Sequence, residues 1–238
     1  MKTVRAIAAA AFAAAAVQAS AADAVVASAG DSITQGIGTP RAADGTFPQS
    51  YPAQLQEILG GCYSVTNFGA GGRTLLRKAD PYGYGRPLKC GASIAVICLG
   101  TNDSKPYAWD AHGDEFEADL EKMVGEFKAQ PSFERVLLCL PPPVFNGGQW
   151  GIREEVLASG VRPAIRRVAE KTGCELVDLA TPLAGAAADF PDRVHPNASA
   201  ARRIAQAVAD AIRPPPAPCG DEATAPCGGA GAEPAPQS

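Results

Sequence analysis

Five short strand-like runs, each separated from the next by a longer stretch, constrain this chain more than any other feature. They lie at residues 25–29, 63–67, 94–99, 136–140 and 176–179. The third run is apolar throughout, which suits a strand buried on both faces. Most of the intervening stretches carry a helical period. Residues 51–59 place Leu55, Ile58 and Leu59 on one face, after Pro48 and Ser50 as start signals. Phe116, Leu120, Met123, Val124 and Phe127 recur at spacings of three and four, the stripe of an amphipathic helix. Residues 156–171 are helical with Gly173 as their stop, and residues 198–212 form a last helix with Asn197 as its cap. Alternation of strand and helix about five times implies a parallel sheet covered by helices on both faces, joined by right-handed crossovers.

The chain has 238 residues, enough for one α/β domain and not comfortably for two. Its formal charge is −4 and it holds no lysine or arginine stripe, which argues against a nucleic-acid partner. Only two histidines exist, His112 and His195, and no His-Glu-x-x-His or Cys-x-x-Cys motif is present, so no metal site is expected. Residues 1–22 read as a secretory signal: Lys2 and Arg5, an apolar run over 7–17, then small residues around Ala19. Export to the periplasm or medium follows, with no stable membrane association, because no other segment is long and apolar enough to span a bilayer. The domain is expected over 23–213. Residues 214–238 are Pro, Ala, Gly and polar residues with two cysteines, a composition that cannot bury a core and reads as a disordered tail. Seven cysteines in an exported chain permit disulfides. Cys219 with Cys227, and Cys62 with Cys90, are candidate pairs, while Cys98 and Cys139 fall inside strands as small buried apolar residues.

Chemistry concentrates at the ends of the runs. Ser32 follows the first run in Gly30-Asp31-Ser32-Ile33, where a strand breaks into a turn at the ligand-binding end of a parallel sheet. A serine hydroxyl is a weak nucleophile until a base takes its proton. His195 is the candidate base, and Asp192, three residues earlier, can orient it from a turn flanked by Pro191 and Pro196. Activity is expected to fall in acid as the imidazole takes up a proton. Acyl transfer also needs donors aimed at the developing oxyanion. The Ser32 N–H, the Gly72 N–H and the Asn102 side chain all sit after strands and can converge there.

In order and spacing, Gly30-Asp31-Ser32-Ile33, Asn67-x-Gly69-x-x-Gly72-x-Thr74, Gly100-x-Asn102-Asp103 and Asp192-x-x-His195 resemble the four blocks of the SGNH hydrolases, the GDSL-type esterases, with Ile33 where that name has leucine. The resemblance runs from about Val25 to Ile212. It implies a flavodoxin-like three-layer α/β/α sandwich with a five-stranded parallel sheet, and no cofactor. Further segments are similar to the sialate O-acetylesterase-like and carbohydrate acetylesterase branch: Ser50 to Leu55, Thr74 to Leu76, Gly100 to Lys105 with Trp109, and Phe190 to Asn197. That branch implies removal of acetyl groups from sugar hydroxyls, with a small-molecule or glycan ester as partner.

Several residues stand as further candidates. Asp31, Arg73, Tyr82 and Trp109 are candidate substrate contacts. Asp31 and Asp103 also suit a structural role, accepting loop N–H groups. Tyr82, Tyr84, Tyr107, Trp109 and Trp150 lie near strand-end loops, where an aromatic face suits a sugar ring and equally suits loop packing. His112 reads as a solvated loop residue. Two rival readings use the same sequence: an esterase or thioesterase for lipid acyl chains, lysophospholipase-like, and an inactive module that binds glycans.

Overall fold

The computed structural model describes residues 24–213. The leader over 1–22 and the tail over 214–238, with Cys219 and Cys227, lie outside the described residues. In chain order the elements are β1 (Ala24–Gly30), α1 (Ser32–Gln35), α2 (Tyr51–Leu59), β2 (Tyr63–Gly69), α3 (Gly85–Leu88), β3 (Ile94–Cys98), α4 (Pro106–His112), α5 (Phe116–Lys128), β4 (Arg135–Leu140), α6 (Glu154–Val156), α7 (Arg162–Thr172), β5 (Glu175–Asp178) and α8 (Ala198–Ile212). A π-helical turn, Leu157–Val161, joins α6 to α7.

The five strands form one parallel sheet in the order β2-β1-β3-β4-β5. Period-two alternation divides its side chains between two apolar layers. Ala27, Ala29, Ala95, Ile97, Leu138 and Leu140 face α5 and α7, packing on Phe116, Leu120, Phe127, Ile165 and Val168. Val26, Val96, Cys98, Leu137 and Cys139 face α2 and α8, packing on Tyr51, Leu55, Ile204 and Val208. The result is the α/β/α sandwich expected of alternating strands and helices. Chain order reverses at β1, with β2 on one side and β3 on the other, and ligands of open α/β sheets bind above that reversal.

Local signals explain most element ends. The Asn197 side chain accepts from the Ala200 N–H at 3.0 Å and starts α8. Gly173 adopts φ +64°, the left-handed stop of α7. β2 is an edge strand, and its outward backbone is covered from within: Gln56 accepts from the Val65 N–H at 2.8 Å and donates to the Tyr63 carbonyl at 3.0 Å. That blocks pairing with another chain along this stretch.

One expectation is corrected. Cys62 and Cys90 are both unpaired and exposed. They precede β2 and β3, which flank β1 rather than each other, so two strand spacings, about 10 Å, separate those ends. A disulfide spans about 4.4–6.8 Å between Cα atoms. The stretch expected to be helical over 156–171 is helical throughout and carries one π turn, where Val161 packs over Gly100. Cys98 and Cys139 are buried and unpaired. No helix among the described residues is long and apolar enough to cross a membrane.

Candidate active site

Ser32 is the first residue of α1, directly after the Asp31 cap. The Ile33 N–H donates to Asp31 Oδ1 at 2.9 Å, and Gly36 closes the single turn at φ +110°. The strand therefore turns sharply and leaves the Ser32 hydroxyl at the carboxyl end of the sheet. Gly69 makes this possible from the neighbouring strand: any Cβ there would overlap the Gln35 amide nitrogen, so only glycine lets α1 lie against β2. Asn67 adds a tie, its amide donating to the Thr34 carbonyl at 2.9 Å.

His195 comes from the loop before α8. Its Nε2 lies 2.8 Å from Ser32 Oγ, and its Nδ1 lies 2.7 Å from Asp192 Oδ2. The other carboxylate oxygen of Asp192 accepts from the His195 N–H at 2.6 Å and the Val194 N–H at 3.0 Å. Arg193, between them, takes φ +70°, which folds both N–H groups back onto the one carboxylate. Partial burial pushes Asp192 upward, but the bonds from the His195 N–H, its imidazole and the Val194 N–H outweigh it, leaving the acid below its ordinary value. An ionised Asp192 accepts the Nδ1 proton, so Nε2 is the acceptor for the Ser32 hydroxyl. His195 itself is only 7% exposed.

Asn102 opens a 3₁₀ turn after β3 (Asn102–Ser104), and its amide donates to the Arg73 carbonyl at 3.0 Å, which fixes the amide plane. Gly72, next to Arg73, has φ +76°. Beneath them the buried Asp103 carboxylate accepts from the Leu75 N–H at 3.0 Å and the Leu76 N–H at 2.7 Å, fastening the loop after β2 to the loop after β3. Burial raises the Asp103 carboxyl to about 6, against the pull of those two N–H groups. Ser32, Gly72, Asn102 and His195 share the wall of one cavity of about 170 Å³, completed by Ile37, Lys105, Trp150 and Ile152. Among the described residues, no group of three or more His, Cys, Asp or Glu side chains converges as metal ligands would.

The model of the GDSL-like lipase/acylhydrolase family matches residues 28–203, a span that contains every residue of this constellation. The chain belongs to that family. An acetylxylan esterase from Xylanibacter ruminicola is 36% identical over 204 residues, a match covering 76% of this chain and 41% of the relative. The chain thus spans less than half the length of that relative. Among solved structures, a carbohydrate acetylesterase family member from Sinorhizobium meliloti superposes with a TM-score of 0.61 at 21% identity, covering 80% of this chain and 97% of the other. A catalytic mutant of an acetylxylan esterase from Geobacillus stearothermophilus gives 0.59 at 22% identity, covering 79% and 94%. At these identities the two structures establish the shared fold.

In this family member the other sequence candidates lie apart from the cavity. Asp31 is 1% exposed, below the serine and out of reach of a substrate, so its expected substrate contact is corrected to a structural one. Burial raises its carboxyl to about 7, with the Ile33 N–H opposing and the nearby Asp103 charge adding to the rise. Its Oδ2 and the buried Thr101 hydroxyl have no partner in hydrogen-bonding geometry. Tyr82 is 5% exposed with its hydroxyl donating to the Phe68 carbonyl at 2.7 Å. With Tyr84 it lines a separate cavity of about 420 Å³ that shares no residue with the serine cavity. Trp109 packs on Phe116, ring centroids 5.6 Å apart, and over Gly160 of the π turn, a packing role. Arg73 contributes its carbonyl to Asn102, while its side chain is not among the cavity-lining residues. Tyr107 bonds Asp80 at 2.7 Å, and His112 ends α4 rather than lying in a loop, 3.6 Å from Glu115.

Sequence reasoning missed Ile37, Lys105 and Ile152, and gave Trp150 no preference over the other aromatics. The one signal for Trp150 was local: Asn146-Gly147-Gly148 and Gly151 mark a loop that a large aromatic residue has no core reason to occupy.

Proposed function

We propose that this chain is an exported serine esterase that removes acetyl groups from carbohydrate hydroxyls. The observation that carries the reading is the relay from Asp192 through His195 to Ser32, at 2.7 and 2.8 Å, opening onto a cavity of about 170 Å³. In this mechanism Ser32 Oγ attacks the acetyl carbonyl while His195 Nε2 takes its proton. The Ser32 N–H, the Gly72 N–H and the second hydrogen of the Asn102 amide stabilise the oxyanion. The imidazolium, held by Asp192, then protonates the departing sugar oxygen. Water, deprotonated by the same nitrogen, releases acetate from Ser32. No step calls for a cofactor.

Two features support a short acyl group on a sugar over a lipid chain. The cavity is small, with Ile37 and Ile152 as its aliphatic lining. The acetylxylan esterase relative, and the carbohydrate acetylesterase among the structural neighbours, bear names that point the same way. Export suits a polymeric carbohydrate substrate, which an enzyme meets outside the cell, and the basic-then-apolar leader over 1–22 fits a secretory signal.

Hydrolysis of p-nitrophenyl acetate, butyrate and octanoate, beside acetylated xylo-oligosaccharide, tests the reading. We expect kcat/KM to fall steeply from acetate to octanoate and acetate to be released from the oligosaccharide. A preference for octanoate would instead favour a lipid substrate, and glycan binding without hydrolysis would favour an inactive module.

A further inference from the structure

Trp150 is 57% exposed, one of two large apolar side chains among the described residues that stand this far into solvent. The other, Tyr107, is tied down by Asp80. Trp150 lines the serine cavity, and its ring centroid lies 5.2 Å from that of His195, with the ring planes inclined at 50°. Its backbone is held at φ +55°, a conformation that is a genuine outlier for a bulky residue. The loop around it is built for this placement: Asn146 at +50°, Gly147 at +81°, Gly148 at +67° and Gly151 at +77° all take left-handed backbone.

The loop is anchored at its root. The Phe145 N–H donates to the Arg193 carbonyl at 2.9 Å, within the segment that carries Asp192 and His195, and Phe145 packs on Phe190 with centroids 5.0 Å apart. The indole is therefore positioned by the same backbone that positions the candidate base. Exposure and strain together are costs that packing does not explain, and strained residues of this kind cluster at ligand clamps.

We propose that Trp150 is the platform for the sugar ring that bears the acetyl group, so that its exposed face selects a pyranose as the leaving alcohol. This inference rests on the carbohydrate-acetylesterase reading. A pyranose has an apolar face of C–H bonds and a rim of hydroxyls. The indole meets the face, and Lys105, on the same cavity wall with no ion-pair partner among the described residues, donates to the rim. Tyr82, Tyr84, Tyr107 and Trp109, the other aromatics with a claim to this role, do not line the serine cavity.

The test compares two acetate esters that differ only in their alcohol: acetylated methyl β-xylopyranoside, which has a ring, and ethyl acetate, which has none. Wild type, Trp150→Ala and Trp150→Phe are assayed as full chains. The ratio of kcat/KM for the glycoside to that for ethyl acetate is expected to fall roughly tenfold in Trp150→Ala, through KM, and to stay within about threefold of wild type in Trp150→Phe. Equal losses on both esters, or a shifted pH profile on ethyl acetate, would mean that the indole acts through His195, and the platform would be refuted. A wild-type preference for the glycoside that survives Trp150→Ala would refute the platform alone. A wild type that cleaves ethyl acetate without preferring the glycoside would overturn the carbohydrate reading, and the platform with it.

Discussion

At Asp192 three donors meet one carboxylate, and each has a separate consequence. The Val194 and His195 N–H groups fix the acid in its turn, and the imidazole Nδ1 takes the remaining oxygen. Asp192→Asn keeps the oxygen that holds the turn but presents an amide N–H₂ to Nδ1. It is expected to lower kcat by on the order of 10³–10⁴-fold while leaving the melting temperature nearly unchanged. A loss below tenfold would show that the acid does not orient the base. Asn102→Ala removes one of the proposed oxyanion donors and is expected to cost on the order of 10²-fold in kcat, with KM little altered; a pure KM effect would count against that role. Asn102 stood out in the sequence because it sits in a short block of glycine and polar residues directly after a strand, and Asp192 because it lies three residues before His195 in a turn flanked by prolines. Lys105, Ile37 and Ile152 did not. They reach the cavity from three loops far apart in sequence, and only the folded chain brings them together.

Among elements, the contact of α1 with β2 and the loop after β4 are the critical joints. Gly69→Ala would drive a methyl group into the Gln35 backbone, which cannot yield as a flexible side chain would. We expect about 2 kcal/mol of destabilisation and a larger proportional loss in kcat, because α1 carries Ser32. Unfolding in urea together with turnover would show this, and a wild-type kcat in the variant would disprove the joint. On the other side, Arg162 is a buried guanidinium that donates to the Pro141 and Pro142 carbonyls at 2.9 and 3.0 Å and pairs with Glu154 at 2.6 Å. Glu154 in turn accepts from the Val144 N–H at 2.8 Å. Arg162→Met leaves that carboxylate without its cation and two carbonyls without their donor, and is expected to cost about 3 kcal/mol, read from the urea midpoint. Strands and long helices were readable from periodicity, to within a residue or two. The π turn between α6 and α7 was not. Nor was α4, which buries only Ala108 and so shows no apolar stripe. Sheet order was not readable either, as nothing in the strand sequences states which neighbour each one takes.

For the molecule as a whole, two buried acids set how stability changes with pH. Asp31 rises to about 7 and Asp103 to about 6 in the folded chain, against 3.8 for the ordinary group. The folded state therefore holds these protons where the unfolded state has released them. Their contribution is fully present below about pH 4 and is lost as pH rises through 6 to 7. Asp192 and Asp178 are lowered and act in the opposite sense, their contribution being lost as pH falls below the ordinary carboxylate range. Stability is expected to decline between about pH 4 and pH 7, with Asp31 alone worth on the order of 4 kcal/mol. Asp31→Asn keeps the cap on Ile33 and cannot ionise, so its decline over that interval should be less than half that of wild type. Parallel curves for the two proteins would refute the assignment to Asp31.

The most direct test of the central claim is covalent trapping of the nucleophile. The full chain is treated with a fluorophosphonate, which adds to an activated serine, and the adduct is located by peptide mass spectrometry. A single adduct on Ser32, lost when His195 is replaced by Ala and accompanied by loss of acetate-ester hydrolysis, is the predicted result. No adduct on Ser32 in an enzyme that still hydrolyses acetate esters, or hydrolysis that survives complete modification of Ser32, would contradict it.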